Sequence, residues 1–172
     1  MKKLLVGILG FVLLFSLAAC SSSNSDSSKK EESSKTSESK SQEKVLDYYM
    51  SLVDTITADN GDYSTYVAQA GADPAPSADE LKQLAAAGST SAEKVSEALA
   101  AEKVPDIGKS TEDFQKAVKD LSDAYKQEAE ALKADAPDTT AADEAMQKAS
   151  DEIAKILEDN GLAGSDIITD TM

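Results

Sequence analysis

The residue best placed to do chemistry is Cys20, the only cysteine in a chain of 172 residues. A thiol can act as a nucleophile or accept a covalent group, and a lone one is otherwise usually a small buried hydrophobe. Here there is nothing to bury it. Leu17, Ala18 and Ala19 precede it and a polar serine-rich stretch follows. Further upstream, Lys2 and Lys3 lead into an apolar run from Leu4 to Leu17, broken only by Gly7, Gly10 and Ser16. A charged start, an apolar middle and small residues at the cut make a secretory signal peptide. An uncleaved anchor fits less well, since Leu4 to Ala19 is sixteen residues and a span needs about 20.

The remaining chemistry is defined by absences. With no histidine, no side chain has an ordinary pKa near neutrality. A Ser-Lys dyad or carboxylate pair would have to be singled out by spacing, and no Gly-x-Ser-x-Gly elbow occurs. Ser122-Asp123-Ala124-Tyr125-Lys126 has no such spacing. No catalytic residue is assigned, and an enzyme is not expected. Asp59-Asn60-Gly61-Asp62 and Asp159-Asn160-Gly161 look like fragments of a calcium loop. The alternating oxygen ligands before the glycine fail, because Ile56 and Ala58, or Ile156, stand where ligands are needed. Both read as helix ends turning on Asn-Gly, so no metal and no cofactor is expected. Asp59, Glu158 and Asp159 then sit at the negative end of a helix dipole, an unfavourable place. Tyr48, Tyr49, Tyr63 and Tyr66 cluster within nineteen residues. Tyr48 and Tyr49 point about 100° apart on a helix, so the expectation is that only one of them faces the core, the other lying at the bundle's edge or in a recognition patch.

Leu17-Ala18-Ala19-Cys20 resembles the lipobox of bacterial lipoproteins. The resemblance implies a diacylglycerol on the Cys20 sulfur, cleavage that makes Cys20 the first mature residue, and attachment to the extracytoplasmic face of the cell membrane. Two acyl chains hold a protein stably where one does not. With its Ser-Lys stretch, the plan is similar to the small surface lipoproteins of Gram-positive bacteria. Ser21 gives no inner-membrane retention cue, which leaves a Gram-negative outer-membrane home open.

Three regions follow: residues 1–19 as signal peptide, 20–42 as lipidated Cys20 and linker, and 43–172 as an acidic domain. From Ser21 to Gln42, eleven of twenty-two residues are serine and none is aliphatic or aromatic. Such a stretch predicts a disordered tether, with a root-mean-square span of about 25 Å. Every basic residue is lysine, and residues 43–172 hold twenty-eight acids against eleven lysines. A body this acidic repels nucleic acid and anionic headgroups. It stands off the membrane, its lipid apart.

The elements that carry these residues are helical. Val45, Tyr49, Leu52, Val53 and Ile56 mark one face of a helix stopping near Asn60-Gly61. A short piece over Asp62 to Ala70 and a loop over Gly71 to Pro76 follow. Ser77 with Glu80 has capping-box spacing and opens a short helix ending at Gly88; Thr90 with Glu93 repeats the spacing and opens another towards Val104. After Pro105 to Gly108, Ser110 caps a helix with the stripe Phe114, Val118, Leu121, Tyr125, Ala129 and Leu132. A last stripe runs from Ala142 to Leu157 and ends at Asn160-Gly161-Leu162 as a glycine cap. The tail from Gly164 reads as loose, with Ile167 and Ile168 able to dock.

Stripes of this kind bury only against one another. The expected fold is all-α, a small antiparallel bundle of about four main helices behind the serine-rich tether. The function expected is that of a non-enzymatic, membrane-anchored module acting through an unidentified protein or envelope partner. Two alternatives stand beside it: a helical lipoprotein binding a small ligand or cation between helices, and a signal peptide whose fragment Leu14 to Ala19 is released as a pheromone.

Overall fold

The computed structural model describes the backbone of residues 29–172 and the side chains from residue 39 onward. All its regular structure is helical: α1 (Lys29–Thr57), α2 (Gly61–Ala70), α3 (Ala78–Ala101), α4 (Thr111–Ala131), α5 (Thr140–Asp159) and α6 (Ile167–Thr171), with a 3-10 turn at Gly108–Ser110. The four long helices are the expected all-α bundle. Cross-links between neighbours show the direction of each pair. Ser89 and Ser96 of α3 bond Ala129 and Ser122 of α4, while Lys116 and Ser110 meet Glu152 and Asn160 near α5. Both pairs are antiparallel.

The stripes make one continuous core. Val45, Leu52, Val95, Phe114, Leu121, Ala124 and Ile153 are wholly buried. Alanines at Ala92, Ala117, Ala124 and Ala149 let the helices approach closely. Two expected boundaries hold in detail. Ser77 and Glu80 form a reciprocal capping box at the start of α3, worth about 1 kcal/mol. At the end of α5, Gly161 takes φ +75°. The Leu162 amide donates to Leu157 and the Gly161 amide to Glu158, which is a Schellman cap.

Five expectations are corrected. First, α3 does not end at Gly88. It runs through to Ala101, and Thr90 donates its hydroxyl to the Ala86 carbonyl one turn back instead of capping a new helix. Gly88 is there for clearance: a Cβ would lie 3.1 Å from Tyr66 Cβ and 3.4 Å from Leu132 Cδ1. Second, Ser110 does not cap α4 through its side chain; its hydroxyl accepts a 2.7 Å bond from Asn160 Nδ2. Third, the tail is ordered. Asp166 caps α6 by accepting from the Ile168 and Thr169 amides, and Ile167 is fully buried. Fourth, Tyr48 and Tyr49 are both buried. Residues about 100° apart can both be covered when a helix is packed on two sides, and α1 has α6 on one flank and the core on the other. Tyr48 meets Phe114 edge-on at 5.2 Å, and Tyr49 donates to Asp170 at 2.5 Å.

The fifth correction concerns the linker. Helix α1 begins at Lys29, well inside the stretch that composition assigns to a flexible tether ending at Gln42. Nucleating a helix is the costly step, and the packed half from Val45 onward supplies the nucleus. Extension then adds one residue at a time through Lys, Glu and Gln, which are good helix formers.

Candidate functional site

The residues of the expected modification site, Cys20 with Leu17, Ala18 and Ala19, lie outside the described residues. Within the described body, the residue with unusual chemistry is one that periodicity passes over. Glu128 sits on α4 between Tyr125 and Leu132, on the stripe side of the helix, and is only 1% exposed. Its Oε2 has no hydrogen-bond partner. Tyr63 and Tyr66 of α2 and Asp143 of α5 surround it. No lysine is among the groups that act on it.

The electrostatics follow from that setting. Burial, with the Asp143 carboxylate adding to it, pushes the Glu128 carboxyl up to about 7 against the modest opposing pull of the Tyr63 hydroxyl. In turn, Tyr63 is driven above the ordinary tyrosine range by burial and by Glu128. Tyr125, wholly buried and edge-on to Tyr63 at 5.9 Å, is pushed up to about 12 by burial. The Tyr63 hydroxyl also approaches Met146 Sδ at 3.9 Å. A sealed carboxyl among tyrosines can take up and release a proton near neutrality. It cannot meet a substrate atom, because it offers almost no surface.

The two Asn-Gly turns are built into the interior. Asn60 is 1% exposed, and its Nδ2 donates to the Thr171 carbonyl at 3.0 Å and to Ser64 Oγ at 3.2 Å. It therefore ties the α1–α2 corner to the C-terminus. Asn160 donates to Ser110 and to the Ile156 carbonyl, each at 2.7 Å. At the end of α5, Lys155 pairs with Asp159 at 2.6 Å, and Lys109 donates to the Asp159 carbonyl. Those two ammonium groups offset the negative charge at the helix terminus. Among the described residues, no group of three or more His, Cys, Asp or Glu is placed to hold a metal ion. Ser122, the serine of the Ser-Asp-Ala-Tyr-Lys run, is buried and bonds the Ser96 carbonyl.

An apolar groove lies between the start of α3 and the α4–α5 loop. Leu81, Ala85, Leu132 and Pro137 line it, and its volume is about 510 Å³. A Lys82–Asp135 pair at 2.8 Å lies along it. None of the described helices is long and apolar enough to cross a membrane. Compared with protein families, curated proteins and solved structures, the chain shows no significant match to any of them.

Sequence reasoning passed over Glu128 because a glutamate between stripe positions reads as a solvated charge. The available signal was its register. Three after Tyr125 and four before Leu132, it stands in the buried stripe itself.

Proposed function

We propose that this chain is a lipid-anchored, extracytoplasmic lipoprotein without catalytic activity, which acts by presenting its acidic helical body to a protein or envelope partner. The observation that carries this reading is the run Leu17-Ala18-Ala19-Cys20 placed directly behind a charged and then apolar start. The course of α1 supports it. One unbroken helix leads from Lys29 into the core, so the segment between Lys29 and Val45 forms a helical stalk about 24 Å long at 1.5 Å per residue. The body's acidity keeps it away from anionic headgroups. The small-ligand alternative rests on open surface grooves such as the one at the start of α3, where the Lys82 ammonium is already paired.

The test is mass spectrometry of the protein isolated from a bacterium that lipidates its exports, with fractionation alongside. The expected N-terminal peptide begins at Cys20 and carries a diacylglycerol, and Cys20→Ser loses membrane retention. An unmodified thiol at that position, or a wild-type protein recovered from the cytosol, would overturn the reading.

A further inference from the structure

Lysines are spread through α3, α4 and α5, and Lys116, Lys119 and Lys155 pair with acids on the same or the adjoining helix. They are missing from two stretches of the chain. None occurs between Lys44 and Lys82, and none after Lys155. Those two stretches supply the body of α1, all of α2 and all of α6. Residues 45–81 hold seven acids and no base.

The exposed large hydrophobic side chains among the described residues fall on or directly beside these same elements. They are Leu46, Met50, Val67 and Met172. At about 100° per residue, Leu46 and Met50 lie one turn apart on a single strip of α1, and half-buried Val53 continues it towards Tyr49. Tyr49 is the residue that bonds α6. Asp47 and Asp54 flank the strip on its outer side, and both are exposed. Leu46 is 45% exposed and Met50 51%, although every other large aliphatic side chain of α1 from Val45 to Ile56 is buried or half-buried. Helix α1 therefore presents an apolar strip edged with carboxylates, and Lys44, its nearest base in sequence, is turned towards the Asp106 carbonyl.

We infer that this strip is a docking surface for a cationic amphipathic helix belonging to another envelope protein. This names the partner of the module proposed above and rests on that reading for its setting. The apolar strip supplies contact area, and the carboxylates select a partner whose flanking residues are Lys or Arg. A second copy of the same face is disfavoured, since like charges would meet across the contact. An anionic lipid surface is repelled for the same reason.

The experiment uses the full chain as isolated, held in neutral phosphatidylcholine nanodiscs where it carries lipid, with empty nanodiscs as the blank. A labelled helical peptide with leucine on one face and lysine on the rest is titrated by fluorescence anisotropy. Two control peptides replace either the leucines by serine or the lysines by glutamate. Binding of the Leu/Lys peptide is expected to weaken about tenfold or more in Leu46→Ser/Met50→Ser, where two central contacts are lost. In Asp47→Asn/Asp54→Asn it is expected to weaken severalfold, with a flatter salt dependence. Neither control peptide should bind comparably. Unchanged circular dichroism checks that both variants fold, as expected for exposed positions. Equal binding by the double-serine variant, equal binding of the Leu/Glu peptide, or no binding at all would overturn the inference. So would self-association of the chain that the double-serine substitution abolishes. Peptide binding lost in wild type while Cys20 carries its lipid refutes only this surface; an unmodified Cys20 with peptide binding intact refutes only the anchoring.

Discussion

Replacing Glu128 by glutamine should remove a loss of stability that the wild-type protein suffers as pH rises from mild acid into mildly alkaline solution. Unfolded, the Glu128 carboxyl titrates near its ordinary value of 4.5; folded, it titrates at about 7. The folded protein thus keeps this proton where the unfolded chain has lost it. Stability is full below about 4.5, declines as pH rises towards 7, and levels off above that, where the native state must hold a buried carboxylate. The gap between the two values corresponds to about 3 kcal/mol. That is a large part of the roughly 5–15 kcal/mol available to a domain of this size.

Glutamine keeps the shape and removes the charge. Any fixed cost of burying its amide shifts the whole curve without changing its slope, so the slope is the quantity to read. Urea denaturation at pH 5, 6, 7 and 8 should show wild type losing about 2–3 kcal/mol relative to Glu128→Gln across that range. The twenty-eight acids of residues 43–172 repel one another in both proteins, and all but Glu128 cancel in the difference. Parallel curves for the two proteins would refute the reasoning. They would mean that Glu128 either stays solvated or finds a compensating partner.

Three further outcomes are expected. Gly88→Val places branched methyls where a single Cβ already lies 3.1 Å from Tyr66 Cβ; a loss of about 1–3 kcal/mol should appear as a lower urea midpoint, and an unchanged midpoint would show that α2 yields freely. Ile167→Ala empties a fully buried site in α6 and should cost about 2–5 kcal/mol, whereas a merely adherent tail would lose almost nothing. Asp170 accepts from Tyr49 and Ser165, which hold its carboxyl below the usual range. Its contribution is present above the ordinary aspartate value and is lost as pH falls through its lower folded one, so Asp170→Asn should make the acid limb of a stability–pH curve below pH 4 shallower than in wild type.

How far the sequence carried can be judged residue by residue. Stripes such as Phe114, Val118, Leu121 and Tyr125 are legible because burial on one helix face leaves a periodic record, and every one of them is in the core. Ser77–Glu80 and Asn160-Gly161-Leu162 are legible because each motif closes within a few residues. Signals that depend on what lies across the bundle are misread. Gly88 has the composition of a helix end, but its role is set by Tyr66 and Leu132, which approach from other helices. The same holds for Asn160, whose amide is used by Ser110 fifty residues away. Tyr49 is covered by a five-residue helix at the far end of the chain, which the periodicity of α1 alone cannot register.

Glu128 joins these cases and shows what they share. A polar residue inside an apolar stripe is ambiguous by itself, because a helix one position wider or narrower moves it from water to core. What decides its place is whether a second helix closes over it, and here α2 does so by bringing Tyr63 and Tyr66 against α4. That closure depends on the absent side chain at Gly88, which lets α2 and α3 approach. The buried proton and the glycine are therefore coupled. Widening the α2–α3 contact at Gly88 should hydrate Glu128 and return its titration towards the ordinary carboxyl value, so that Gly88→Val flattens the same slope between pH 5 and 7 that Glu128→Gln removes.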